Sequence, residues 1–208
     1  MLLDAENIKK ALSQTLPGST SHRKMLPINR ELVANSDEQT LLKNSSVLLL
    51  LYPENNELHV CLIKRPVHMK HHAGQIALPG GRIEKDETAL VTALRETQEE
   101  IGILPVEIEI LGTLSELYVQ VSRFQIHPFV GWINQKPEFI IDKNEVEKTI
   151  SFPLKNMENA IEEVELKTIL GTLKVPCFQF EGEIIWGATA MILSEFYDLL
   201  NIFEANNQ

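Results

Sequence analysis

The sequence predicts an α+β fold, a mixed sheet packed between helices. Strand-like runs crowd residues 46–65 and 106–133, and one long helix-forming stretch stands between them over about 87–101. A second helical stretch, apolar at spacings of three and four, closes the chain over 187–203. Strands in blocks, with one helix mid-chain and one at the end, are the α+β pattern.

Residues 4–14, DAENIKKALSQ, read as a short amphipathic helix, and 16–32, punctuated by Pro17, Gly18 and Pro27, as an arm wrapped on the rest. Residues 1–40 are therefore expected as helix and arm packed on a domain formed by 41–208. SVLLLLYP (46–53) is a continuous apolar run ended by proline. After the turn residues ENNE, the alternating LHVCLIKR (58–65) completes a hairpin. Residues 66–79, holding Pro66, His68, His71, His72, Gly74 and Pro79, are loop-like. Strands resume at 106–114, 115–120, 124–133 and 167–180, while 144–163 is mixed, with a short helix expected after Pro153. In the final helix Ala190, Leu193, Tyr197, Leu200 and Phe203 recur at three or four.

The 208 residues suit one large domain or one domain with an extension, and 44% hydrophobic content supports a core. A formal net charge of −10 argues against a broad nucleic-acid surface, which needs a basic face. Cys61 and Cys177 each lie in an apolar run and outside any Cys-x-x-Cys pattern, so two buried free thiols in a reducing compartment are expected. The first residues lack a basic n-region and a long apolar h-region. The longest apolar run, VLLLLY (47–52), is far short of the ~20 residues of a membrane span. These features predict a cytoplasmic protein without a membrane partner.

The stretch GGRIEKDETALVTALRETQEEIGI (80–103) carries the chemistry. Three carboxylates, Glu96, Glu99 and Glu100, crowd the last helical turn before Gly102, where the backbone dipole already places negative charge. At about 100° per residue, Leu90, Leu94, Thr97 and Ile101 share a stripe that is expected to pack on the sheet, with the three glutamates on its flank. Spacings of three and four bring the glutamates within reach of one another. A divalent cation relieves that repulsion, and oxygen ligands on a rigid face suit Mg²⁺ or Mn²⁺. Asp86 or Glu87 opens the helix, where negative charge is favourable, and Gly102 is a natural left-handed cap. Gly80 and Gly81 let backbone approach an anion or a metal.

Gly81, Glu87 and RETQEEIGI (95–103), at their spacing, resemble the Nudix box, G-x5-E-x7-R-E-U-x-E-E-x-G-U with U a bulky aliphatic. One position departs: Thr97 stands where an aliphatic is usual. The resemblance implies a Nudix fold, an α/β/α sandwich, and hydrolysis of a nucleoside diphosphate linked to another moiety. It implies Glu96, Glu99 and Glu100 as metal ligands, with the Gly80 carbonyl a lesser candidate. It also implies that Glu87 holds Arg95, which orients the glutamates. A diphosphate repels an attacking hydroxide, so metal ions and a carboxylate base are needed. Glu96 or Glu99 is the base favoured within the helix, and Glu116 and Glu145 are candidates outside it. Catalytic roles thus fall to Glu87, Arg95, Glu96 and Glu99.

LIKRPVHMKHHAGQIALPGG (62–81) resembles the additional motif of the coenzyme A pyrophosphatase branch. Arg65, Gly74, Pro79, Gly80 and Gly81 stand in register, while Pro66, Lys70 and Leu78 replace the usual serine, arginine and phenylalanine. The resemblance implies that Arg65, Lys70, Gly74, Gln75, Gly80 and Gly81 contact substrate, Arg65 and Lys70 as cations for phosphate. His68, His71 and His72 lack a closed set of further ligands for zinc. The stretches SRFQIHPFVG (122–131), FPL (152–154) and IWGATAMIL (185–193) resemble the same branch, and PGSTSHRKMLP (17–27) the N-terminal arm of some members. The implied activity is metal-dependent cleavage of coenzyme A or a derivative to 4′-phosphopantetheine, or its acyl form, and adenosine 3′,5′-bisphosphate. The alternatives are a Nudix hydrolase for another substrate, such as ADP-ribose, and a non-catalytic nucleotide-sensing module. No Gly-x-Ser-x-Gly elbow and no P-loop occurs. A homodimer is expected from the superfamily, and a small nucleotide as the ligand.

Overall fold

The computed structural model describes residues 4–28, 30–32, 42–69, 71–157, 161–168 and 171–207, with the backbone alone for 167 and 168. Helix α1 (Ala5–Leu12) opens at Asp4, whose carboxylate accepts from the Asn7 N–H at 2.8 Å. A short helix α2 (Ser19–His22) and a 3-10 turn (Arg23–Met25) follow. Strands β1 (Lys43–Glu54) and β2 (Glu57–Lys64) form the expected hairpin, turning through Asn55 and Asn56, both at positive φ. Short strands β3 (Ile76–Ala77) and β4 (Gly80–Arg82) lead to helix α3 (Ala89–Ile101). Then come β5 (Glu109–Thr113), β6 (Leu117–Val119), β7 (Phe124–Trp132) and β8 (Lys148–Pro153), the last followed by a 3-10 turn at Leu154–Met157. Strands β9 (Glu162–Thr168), β10 (Gly171–Phe180) and β11 (Glu183–Trp186) precede helix α4 (Gly187–Asn206).

The main sheet runs β3-β2-β1-β7-β5, with β4 on β1, β6 on β7 and β8 on β2. It is mixed, because β1 and β7 are parallel while its other pairs are antiparallel. Strand β1 explains the apolar run. Leu49 and Leu51 enter one core with α1 and α4, whereas Leu48, Leu50 and Tyr52 enter the other, under α3. A strand covered on both faces reads as continuous rather than alternating hydrophobicity. Helices on both faces make the α/β/α sandwich.

Two expectations are corrected. The single strand expected over 167–180 belongs to an antiparallel pair, β9 and β10, in a second sheet of order β11-β10-β9. Strand β8 lies within the mixed stretch 144–163, pairing with β2 through Ile150 and Phe152, which are buried. Cys61 and Cys177 are both buried free thiols. Among the described residues no helix is long and apolar enough to cross a membrane.

The N-terminal segment is held by a buried polar knot. His22 Nε2 lies 2.8 Å from Glu195 Oε2, and both side chains are almost wholly buried. Glu195 also accepts from the backbone N–H groups of Gly18 and Ser115. Its burial alone would raise its pKa, but the hydrogen bonds from His22 and Ser115 outweigh that and hold it below the ordinary value.

Candidate active site

Helix α3, expected from about 87, starts two residues later, at Ala89. Thr88 is the N-cap, its hydroxyl accepting from the Val91 N–H at 3.3 Å. Gly102, at φ 76°, closes the helix with its N–H on the Gln98 carbonyl. A Cβ there would lie 2.7 Å from the Ile140 side chain, so close packing also favours glycine.

The face that α3 buries is rotated from the expected stripe. Thr92, Ala93, Thr97, Glu100 and Ile101 are buried, while Leu90 and Leu94 are only partly so. Thr97 is tolerated because its hydroxyl donates to the Ala93 carbonyl at 2.7 Å. The rotation divides the three glutamates. Glu100 is 1% exposed and Glu99 56% exposed, with Glu96 between them at 15%.

Each carboxylate has its own partners. The Gly80 N–H donates to Glu100 Oε2 at 2.9 Å, and Arg65 Nη1 stands 3.4 Å from Glu100 Oε1. Burial pushes the Glu100 carboxyl up to about 8, against the opposing pull of Gly80 and Arg65. Burial also raises Glu96, opposed by Arg95. Arg95 grips Glu87 with two bonds, 2.7 Å from Nε and 3.1 Å from Nη2, and reaches Glu96 at 3.0 Å and Glu99 at 2.8 Å through Nη1. The Arg95 and Thr92 hydrogen bonds depress Glu87 to about 2. Arg95 therefore gathers Glu87, Glu96 and Glu99 into one network.

The three carboxylates that converge are Glu96, Glu100 and Glu145, each with an oxygen within 4.8 Å of the others. Glu145 comes from the segment after β7, brought in by backbone bonds from Asp142 N–H to the Glu100 carbonyl and from Ile140 N–H to that of Ile101. Glu99 points instead to Arg95, on the outer flank. Gly81 lies beneath the cluster: a Cβ there would come within 2.3 Å of the Glu96 carboxylate. Gly80, at φ 150°, is packed so tightly that a Cβ would meet the Ser46 carbonyl at 2.3 Å. Converging oxygen donors, two of them held up in pKa by burial and mutual repulsion, fit a hard divalent cation.

Other residues expected at the site fall around it. The loop after β2 is closed at its root, Arg65 N–H on the Gln75 carbonyl and Gly74 N–H on the Arg65 carbonyl, both at 3.0 Å. Gly74 takes φ 68° there, and Gln75 Oε1 pairs with His72 Nδ1 at 2.8 Å. Gly74 and Gln75 make no hydrogen bond to the carboxylate cluster, and Lys70 lies outside the described residues. An open cleft of about 400 Å³ adjoins Glu96, lined also by Arg82, Ile83, Glu84 and Lys85. Arg82 and Lys85 are exposed and form no ion pair among the described residues. Sequence reasoning passed over these two cations. Their one signal was position, Arg82 directly after the paired glycines and Lys85 three residues on.

The sequence matches the NUDIX domain family model over residues 42–169. Nudix hydrolase 3 of Caenorhabditis elegans is 28% identical over 190 residues, covering 82% of this chain and 77% of its own length. Nudix hydrolase NudL of Salmonella paratyphi B is 29% identical over 160 residues, covering 76% of this chain and 83% of its own. Among solved structures, a MutT/nudix family protein from Enterococcus faecalis shares the fold with a TM-score of 0.54 at 18% identity, over 97% of this chain and 76% of that one.

Proposed function

The chain belongs to the Nudix family, and on that premise we propose that it hydrolyses the diphosphate bond of coenzyme A or a coenzyme A derivative. The observation that carries a diphosphate hydrolase is the convergence of Glu96, Glu100 and Glu145 beside a cleft rimmed by Arg82 and Lys85. The coenzyme A assignment draws its support from the motif over 62–81, with Arg65, Gly74 and Pro79–Gly81 in register.

In this reading Glu96, Glu100 and Glu145 hold the divalent cation, Mg²⁺ or Mn²⁺. The chemistry such an ion supplies when bound is neutralisation of phosphate oxygens and acidification of a water. Arg95, clamped by Glu87, fixes Glu96 and keeps Glu99 on the outer flank. The Gly80 N–H fixes Glu100, and Gly81 leaves the space that Glu96 fills. Arg82 and Lys85 meet the diphosphate oxygens. Glu145 is exposed and its carboxylate carries no hydrogen bond among the described residues, unlike those of Glu96, Glu99 and Glu100, so while one of its oxygens serves the cation the other is left to take the proton of the attacking water. A phosphorus–oxygen bond to water forms as the bridging one breaks, leaving 4′-phosphopantetheine and adenosine 3′,5′-bisphosphate.

The test is mass-resolved product analysis of coenzyme A incubated with the protein and Mn²⁺ or Mg²⁺, beside dephospho-coenzyme A, ADP-ribose and nucleoside triphosphates. Adenosine 3′,5′-bisphosphate from coenzyme A is the expected product. Turnover of another diphosphate alone would keep the site and overturn the coenzyme A assignment.

A further inference from the structure

We propose that Asn44, Glu116, Gln125 and His127 form a second subsite beside that cleft, on the sheet face that Glu96 covers, one that takes an uncharged, hydroxyl- or amide-bearing part of the substrate. The proposal rests on the diphosphate-hydrolase reading above. Sheet register puts these residues there. Ser46 pairs with Gly81 on one side and with His127 on the other, and residues paired across strands project to the same face. Glu96 covers that face at Gly81. His127 therefore projects beside the carboxylate cluster, two strands from Gly81 and roughly 10 Å away at about 4.8 Å per strand. Asn44 and Gln125 pair with each other, two residues before Ser46 and His127, and share the face. Ile83, a wall of the cleft, donates its N–H to the Asn44 carbonyl at 3.0 Å.

The four side chains are joined end to end. His127 Nδ1 lies 3.1 Å from Glu116 Oε1, Gln125 Nε2 donates to Glu116 Oε2 at 3.1 Å, and His127 Nε2 lies 3.3 Å from Asn44 Oδ1. His127 Nδ1–H donates to the Glu116 carboxylate, which only accepts, and Nε2 faces the Asn44 side-chain amide, so the ring acts as a positioning residue for both. Glu116 is 59% exposed and outside the metal-holding cluster, and each of its oxygens retains a free lone pair. An ionised carboxylate only accepts, so a substrate group that meets it must bring an O–H or N–H, and a phosphate there is repelled. The site is divided accordingly: cations at Arg82 and Lys85 in the cleft for the phosphates, and beside it an acceptor-rich row for the neutral half. A nucleoside's sugar hydroxyls and base amine fit that chemistry, and so do the hydroxyl and amides of a pantetheine arm.

The test compares Glu116→Gln and His127→Gln with wild type. KM for the cleaved diphosphate should rise roughly tenfold in Glu116→Gln, the loss of one charge-assisted hydrogen bond, with kcat within about threefold and Mn²⁺ binding unchanged by electron paramagnetic resonance. His127→Gln should show the same split, less severely. If wild type cleaves a diphosphate other than coenzyme A, the same KM ratio is read on that substrate, so the subsite and the coenzyme A assignment fail separately. Independently of turnover, the His127 ring resonances should move on adding adenosine or pantetheine, neither of which carries phosphate. The probe that moves them names the source. Rings unmoved by both probes, or a loss confined to kcat, would overturn the proposal.

Discussion

Glu99 and Glu100 are adjacent in sequence and opposite in environment. The first is solvent-exposed on Arg95, and the second is buried on the Gly80 N–H. Substitution should therefore rank them. Glu96→Gln and Glu100→Gln should each lower kcat by at least about a hundredfold, the scale of losing one preorganised charge contact in a reaction centre. Glu99→Gln should cost less, through loosening of Arg95. Steady-state kinetics with saturating Mn²⁺ checks the order, and equal losses would place Glu99 among the ligands. Glu100 also makes a pH prediction. Its carboxyl, raised by burial to about 8 from 4.5, keeps a proton in the folded protein that the unfolded chain has released across that window. The folded state binds more protons there, so in the absence of divalent ions stability falls as pH rises between those values. Glu100→Gln should flatten that fall and be more stable than wild type at pH above 8, as read by urea unfolding in EDTA. A wild-type slope in the variant would refute the assignment.

The N-terminal arm and α4 form a unit with the buried His22–Glu195 pair at its centre. His22→Ala leaves Glu195 with Gly18 and Ser115 as its only donors among the described residues and should destabilise the protein by about 3 kcal/mol, the scale of breaking a buried pair from one side. Glu195 is held below its ordinary value of 4.5, so the pair's stability is present above that value and is lost as pH falls through the lowered one. The gap between wild type and His22→Ala should narrow accordingly in acid, which urea titrations at neutral and acid pH would show. How far elements were legible follows from their packing. The β1–β2 hairpin and α4 were visible because their apolar patterns survive any context. The face of α3 was legible only in part: Thr97 and Ile101 are buried as their place on the expected stripe requires, whereas Leu90 and Leu94 are only half-buried and Glu100, expected on the flank, is buried with its carboxylate on the Gly80 N–H. Strand β9, EEVELKT, was largely missed because its exposed glutamates hide the alternation, and the strand expected over 167–180 took in β10 with only the last two residues of β9.

At the scale of the whole molecule, the proposed metal site would couple to the fold. Glu96 and Glu100 come from α3 and Glu145 from the segment beyond β7, so an ion held by all three ties two parts of the chain that are otherwise joined there by backbone bonds. An ion that binds the folded state alone stabilises it by about 2.7 kcal/mol at a hundred times its Kd. Mn²⁺ or Mg²⁺ should thus raise the unfolding temperature of wild type, and Glu96→Gln and Glu145→Gln should lose most of that rise. A full metal-dependent rise in Glu145→Gln would remove Glu145 from the ligand set.

By itself the sequence determined the fold class, the family-bearing spacing of Gly81, Glu87 and Arg95–Ile103, and the carboxylate-rich turn, because those depend on local periodicity and short-range spacing. Only the tertiary structure decided which carboxylates meet. Helical spacing puts Glu96, Glu99 and Glu100 within one arc, but the rotation of α3 on the sheet sends Glu99 to Arg95 and Glu100 into the interior. Glu145 reaches them across 45 residues of chain by backbone bonding at the end of α3. Likewise the row of Asn44, Glu116, Gln125 and His127 has no signature in sequence. It exists because the register of β1 against β4 and β7 sets distant residues side by side on one face.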